Sequence, residues 1–175
     1  MEIVADILKI TIPALLVFLT TWLILRNMIK NDRNKRKQEL LLQSNKTITP
    51  IRLQAYERIV LFLERISLES LIIRVSTPEM TVNQLYTALL NAIRSEFEHN
   101  LSQQIYMSSQ AWEVVKSAKT NMIKIINNEA DNLSPNSAGM NLTKCLFDKV
   151  VELEKEPTHV AIDFLKIEIS TFLAY

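Results

Sequence analysis

Apolar and polar residues alternate with helical spacing along most of this chain, and one stretch breaks the alternation. From Ile10 to Leu25 the sequence ITIPALLVFLTTWLIL carries no charge at all. Crossing a hydrocarbon core of about 30 Å takes roughly 20 residues at about 1.5 Å each. Ile7 and Leu8 before Lys9, with Met28 and Ile29 after Arg26, extend the run to a sufficient length if the two cations reach the interfaces. The pattern predicts a single transmembrane anchor over 1–29, with Trp22 at one headgroup level. A core helix of a soluble domain is the competing reading, and it seldom stays uncharged for so long. A cleaved signal peptide would carry a basic leader and a small-residue cleavage site, whereas this leader holds Glu2 and Asp6.

After the run, 30–48 reads as a basic helical stalk and linker without a sustained heptad, ending at SNKTITP, where Thr49 is expected to cap a helix begun by Pro50. The domain 49–175 then shows helical periodicity throughout. Tyr56, Ile59, Val60, Leu63 and Ile66 form one stripe, with Leu61 and Phe62 outside it. A short helix or helical turn begins at Ser67, and STPEM makes a corner. Thr81 and Gln84 form a capping box flanked by Met80 and Leu85 as a hydrophobic staple. Behind it Leu85, Leu89, Ile93, Phe97 and Leu101 predict a central helix reaching about Gln104. A helix capped by Ser108 or Ser109 follows, burying Ala111, Val115, Ala118, Met122 and Ile125. NLSPNSAGMN reads as a loop, and two more helices start near Asn141 and Pro157. The predicted architecture is all-α: an N-terminal transmembrane helix, a basic juxtamembrane stalk and a cytoplasmic bundle of about five or six helices.

Composition sharpens this. One glycine and five prolines in 175 residues leave little material for hairpins and none for a phosphate-cradling glycine loop. Seven Lys/Arg against three Asp/Glu in residues 1–37 give way to thirteen against sixteen in the remainder. The mildly acidic bundle argues against a nucleic-acid partner. The excess at Arg26, Lys30, Arg33, Lys35, Arg36 and Lys37 places the bundle on the cytoplasmic side of an inner membrane, N-terminus out, with this membrane-surface tract drawn to anionic lipid headgroups. The lone Cys145 forms no internal disulfide and reads as packing.

Candidate chemistry gathers at the end of the central helix, where Glu96, Glu98, His99, Asn100, Gln103, Gln104 and Tyr106 form a polar cluster, with Trp112 as a nearby aromatic anchor. Such a cluster can satisfy loop backbone groups or present a surface to a protein partner or a second copy. Glu96 and His99 also make half of the Glu-x-x-His pattern of di-iron helical bundles, and Glu156 and His159 repeat the spacing across Pro157. A metal site would need two more inward carboxylates, and the sequence nominates none. No catalytic triad and no cofactor motif can be assembled. The expectation is therefore a membrane-tethered, non-enzymatic interaction or scaffold module, with a metal-binding bundle as the alternative.

The blocks PIRLQAYERIVLFLERI and EFEHNLSQQIYMSSQAWEVVKSAK resemble a family of small, single-span helical proteins of Bacteroidota-type bacteria for which no activity is established. The similarity runs from Thr49 to about Asn127. It implies an inner-membrane location and a helical cytoplasmic domain, and carries over no catalytic residues.

Overall fold

The structure, a computed structural model, describes the backbone of residues 2–173, and within it all side chains except those of 2–14, 31–34, 37–38, 40–42, 44–45 and 173. The chain is all-helical. Six α-helices, α1 (Glu2–Arg65), α2 (Leu68–Val75), α3 (Val82–Asn100), α4 (Ser109–Asp131), α5 (Gly139–Glu152) and α6 (Pro157–Leu173), are accompanied by a 3₁₀ segment over Leu101–Tyr106. Residues 1–49 and 50–175 form two compact units.

In the first unit the side chains from Leu15 to Lys30 are all exposed. Among the described residues no helix is long and apolar enough to cross a membrane. In the expected anchor 1–29, including its bilayer part 7–29, the side chains up to residue 14 lie outside the described ones, as do Arg33 and Lys37 of the basic tract. The expected helix break at SNKTITP is not observed. The backbone stays helical through 44–50, so Thr49 is no N-cap and Pro50 starts no helix. Proline there removes one backbone hydrogen bond, but ending and renucleating a helix would leave several N–H and C=O groups unpaired.

The second unit is built around one continuous core. Helix α1 contributes Tyr56, Ile59, Phe62 and Leu63, with Ile66 just beyond its end, while Leu61, the chain neighbour of Phe62, stays exposed. The central stripe is buried at Leu85, Leu89 and Ile93, with Val82 and Leu90 beside it. Its last expected member, Leu101, is exposed, because the chain has already tightened into the 3₁₀ segment and rotated that side chain off the face. Helix α4 buries Ala111, Val115, Ala118 and Met122 as expected, and adds Trp112 and Ile126. It packs on α6, whose Ala161, Ile162 and Leu165 are buried. The hydroxyl of Tyr56 donates to Glu168 Oε1 at 2.9 Å, tying α1 to α6.

The starts of the helices follow the sequence closely. The capping box is formed in both directions, Gln84 N–H to Thr81 Oγ1 at 3.3 Å and Thr81 N–H to Gln84 Oε1 at 3.0 Å. Ser108 caps α4 by accepting from Ala111 N–H at 3.0 Å. Helix α5 begins two residues earlier than expected, at Gly139, and the reason is the glycine itself. The loop 132–138 lies against the start of α3, where Val82 N–H donates to Ser137 O and Asn83 N–H to Pro135 O. Gly139 N–H donates to Met80 O at 2.7 Å, and Thr81 pairs with Ala138 in an isolated antiparallel bridge. A Cβ on residue 139 would sit 2.8 Å from Met80 O and 3.3 Å from Thr81 O. Both are backbone atoms and cannot swing aside.

Gly139→Ala is therefore expected to destabilise the full chain by about 1–3 kcal/mol, the usual scale for overpacking a close approach. Denaturant titration in mild detergent reads this as a lower midpoint with an unchanged slope. An unaltered midpoint would mean that the α3–α5 junction gives way freely.

Candidate functional site

The polar cluster expected at the end of α3 divides into three parts with different roles. Glu96 lies on the flank of the apolar stripe, one residue before Phe97, and its side chain is only 18% exposed. A carboxylate so placed needs cationic partners. Two arrive from distant points of the chain: Arg65, at the end of α1, and Arg74, in the last turn of α2, each place a guanidinium nitrogen 2.6 Å from Glu96 Oε1. Arg65 adds an Nε–H donation to the same oxygen at 2.8 Å, and Arg74 also donates to the carbonyl of Arg65 at 3.0 Å. Burial alone would raise the Glu96 pKa, but the hydrogen bonds and charges of the two arginines outweigh it and hold the carboxyl below its usual range.

Asn100 is the second part. It is buried, and its Nδ2 donates back to the carbonyl of Glu96 at 2.9 Å, closing the last turn of α3. Trp112 is buried against the core, stacked on Phe97 with centroids 5.5 Å apart and planes 22° apart; Phe97 in turn meets Phe62 at 5.9 Å. Lys119 Nζ lies 3.8 Å from the centroid of the Phe97 ring. Trp112 is thus a core residue rather than a surface anchor.

The third part faces outward. Glu98, His99, Gln104 and Tyr106 are exposed, Gln103 is half-buried, and the Tyr106 carbonyl accepts from Arg52 Nε at 3.1 Å. Arg52 also lies 4.0 Å from the centroid of the Phe172 ring, joining the 3₁₀ segment and α6 to α1. Between α1 and α3 an open cleft of about 420 Å³ is lined by Arg58, Leu61, Phe62, Arg65, Ser95, Glu96, His99 and Asn100. Arg58 forms no ion pair among the described residues. The sequence pattern points to Glu96, His99 and Asn100 but not to Arg58, Leu61, Arg65 or Arg74. Glu96 beside Phe97 is the available signal that a cation must come from elsewhere, although nothing in the sequence says from where.

The second Glu-x-x-His pair is also engaged in the fold. Glu156 is 7% exposed, and its Oε1 accepts from Leu68 N–H at 2.6 Å, supplying the N-terminal cap of α2. Ser67, the expected start of that helix, instead turns its hydroxyl back to the Glu64 carbonyl at 2.8 Å. Burial raises the Glu156 pKa, and the Leu68 N–H only partly offsets this. His159 Nδ1 is 4.0 Å from Glu156 Oε2, with its side chain half exposed. Glu96 meets two arginines, and among the described residues no group of three or more His, Cys, Asp and Glu side chains is placed to hold a metal ion.

The family model of DUF7935, a family of unknown function, matches residues 2–172. The chain belongs to this family. The match to DUF7935 takes in the apolar run, the basic tract and the whole bundle up to Phe172. No curated protein and no solved structure matches the chain.

Two titratable groups give opposite pH signatures. The depressed Glu96 contributes stability that is present above the ordinary value of 4.5 and lost as pH falls through its folded pKa. Glu96→Gln should cost about 1–2 kcal/mol near pH 7, and urea titrations should show its difference from wild type shrinking toward pH 3; a gap independent of pH would refute the charge clamp.

For Glu156, whose pKa is raised, the folded state favours the protonated form, so its contribution declines as pH rises from 4.5 through the folded value. Glu156→Ala, which leaves the Leu68 N–H without its acceptor, should cost about 1–2 kcal/mol. Glu156→Gln retains a carbonyl acceptor and should recover most of that loss at neutral pH. Equal losses in the two variants would rule out the capping role.

Proposed function

We propose that this DUF7935 chain is a single-pass membrane-tethered, non-enzymatic interaction module. The apolar run lies in the bilayer, the basic tract lies at anionic headgroups, and the bundle stands at the cytoplasmic face of an inner membrane. One observation carries the tether. Every large apolar side chain described from Leu15 to Ile29 is exposed, between 43% and 70%, on all sides of this stretch of α1. Burying a large apolar side chain is worth roughly 1.5–3 kcal/mol, so such a helix left in water forgoes a large stabilisation, and a bilayer supplies it without a protein partner. With the uncharged residues Ile10 to Ala14 ahead of it in sequence, the run has the length that a span requires.

The flanking chemistry supports the same reading. Arg26 lies 5.4 Å from the centroid of the Trp22 ring, so an interfacial aromatic and a cation share one level of the helix. Lys30, Lys35 and Arg36 follow, all exposed. Each cation near an anionic surface adds about 1 kcal/mol of attraction. The interaction role is supported by the cleft between α1 and α3, where Arg58, without an ion pair among the described residues, stands beside exposed apolar surface.

Expressed as the full chain in a bacterial host, the protein should sediment with membranes, resist an alkaline carbonate wash and need detergent for release. Leu19→Lys combined with Ile24→Lys should shift it out of the washed membrane fraction, because each charge near a span centre costs about 2.5–3.5 kcal/mol. Wild-type chain found monodisperse in the soluble fraction without detergent would overturn the tether.

A further inference from the structure

The cleft between α1 and α3 has a complement elsewhere on the same bundle. Its floor and rim combine Leu61, 57% exposed, with two guanidinium groups, Arg58 and Arg65. Glu96 is already shared by Arg65 and Arg74, so the carboxylate inside the cleft does not neutralise it. The exposed acids on the same two helices, Glu57, Glu64 and Glu98, make no ion pair with Arg58 among the described residues. The site is shaped to receive one apolar side chain with a carboxylate next to it.

Such a feature projects from the end of α5. Val151 is 86% exposed, the highest value among the described large apolar residues, and Glu154 follows it in the turn before α6, exposed and without an ion pair among the described residues. Lys155, the cation that would oppose it, is turned onto Asp163. Both features occupy one end of the bundle. Arg65 closes α1, Leu68 opens α2 three residues later, and the Leu68 N–H is held by Glu156, two residues beyond Glu154. A two-fold axis at this end can therefore bring the cleft of each copy against the α5 turn of the other, giving a closed, reciprocal contact rather than an open-ended one.

Resting on the interaction-module reading, we infer that the partner of the cleft is a second copy of this chain. Arg58 and Leu61 of one copy receive Glu154 and Val151 of the other. Tethering favours the contact, since confining copies to one membrane raises their effective concentration.

The test uses the full chain in detergent micelles and in liposomes, with oligomeric state read by sedimentation equilibrium and by cross-linking at decreasing protein-to-lipid ratio. Wild type should dimerise. Arg58→Glu and Glu154→Arg should each weaken the dimer about tenfold or more, the scale of a close interfacial charge pair, and combining them should restore it, because the pair is then reversed rather than removed. Both positions are exposed, and unchanged circular dichroism checks that the fold is kept. A wild-type chain monomeric at all ratios, or a combined variant no tighter than the single ones, would overturn the inference. Membrane fractionation of the same samples separates the failures: monomeric but membrane-bound protein sinks the self-association and leaves the tether standing, whereas soluble protein sinks the tether.

Discussion

A half-buried carboxylate held by two arginines ties together the end of the bundle where three helices meet. Glu96 faces the seam of α1, α2 and α3, and the guanidinium groups of Arg65 and Arg74 both settle on one of its oxygens. Leaving such a carboxylate unpaired would be costly in a partly desolvated site, so the turn from α1 into α2 is fixed by the need to deliver both cations. Arg74 adds a donation to the carbonyl of Arg65, one of the groups that the end of α1 leaves without a helical partner. The same corner is secured from the other side by Glu156, which reaches from the start of α6 to cap α2. A helix of only eight residues has little stability of its own. Here its first N–H and one of its last-turn side chains are both held by groups far away in sequence.

This use of charge bears on the metal-site reading of the bundle. Two Glu-x-x-His pairs invite a metal-site reading, yet each glutamate is already committed to holding the fold together. Glu96 joins two arginines, and Glu156 caps a helix. Both histidines stay at the surface. The proposed recognition uses the outer layer of the same corner, where Arg58 and Leu61 line an open cleft. The frame behind it is well supported, with the Phe62, Phe97 and Trp112 rings packed one after another under the cleft. A recognition surface on such a frame needs little reorganisation on binding, which lowers the entropic cost of association.

The apolar run poses the opposite problem. Its described side chains are all exposed, and they surround the helix rather than marking one face. Bundle helices, by contrast, alternate a buried stripe with charged faces. The contrast between these two patterns within one chain is the physical ground on which the proposed tether rests.

The all-α class, the positions of helices α2 to α6 and most of the core were legible in the sequence, because capping boxes, turns and 3.6-residue periodicity act over a few residues. Thr81 with Gln84, and the stripe Leu85, Leu89 and Ile93, needed no tertiary information, while the structure chose Ser108 over Ser109 as the cap of α4. The boundaries that local pattern misplaces depend on contacts made far along the chain. Gly139 starts α5 early because the backbone of Met80 presses against it. The start of α2 at Ser67 is where the local pattern puts it, but the acceptor that caps it is Glu156 rather than the serine hydroxyl. The helical backbone through Pro50 reflects the cooperativity of a long helix, which a local breaker signal does not weigh. At the candidate site, sequence alone identified Glu96, His99 and Asn100 as a polar group on one turn. Only the tertiary structure could bring Arg58, Arg65 and Arg74 to them, since a charge records the need for a partner while the fold alone decides which one arrives.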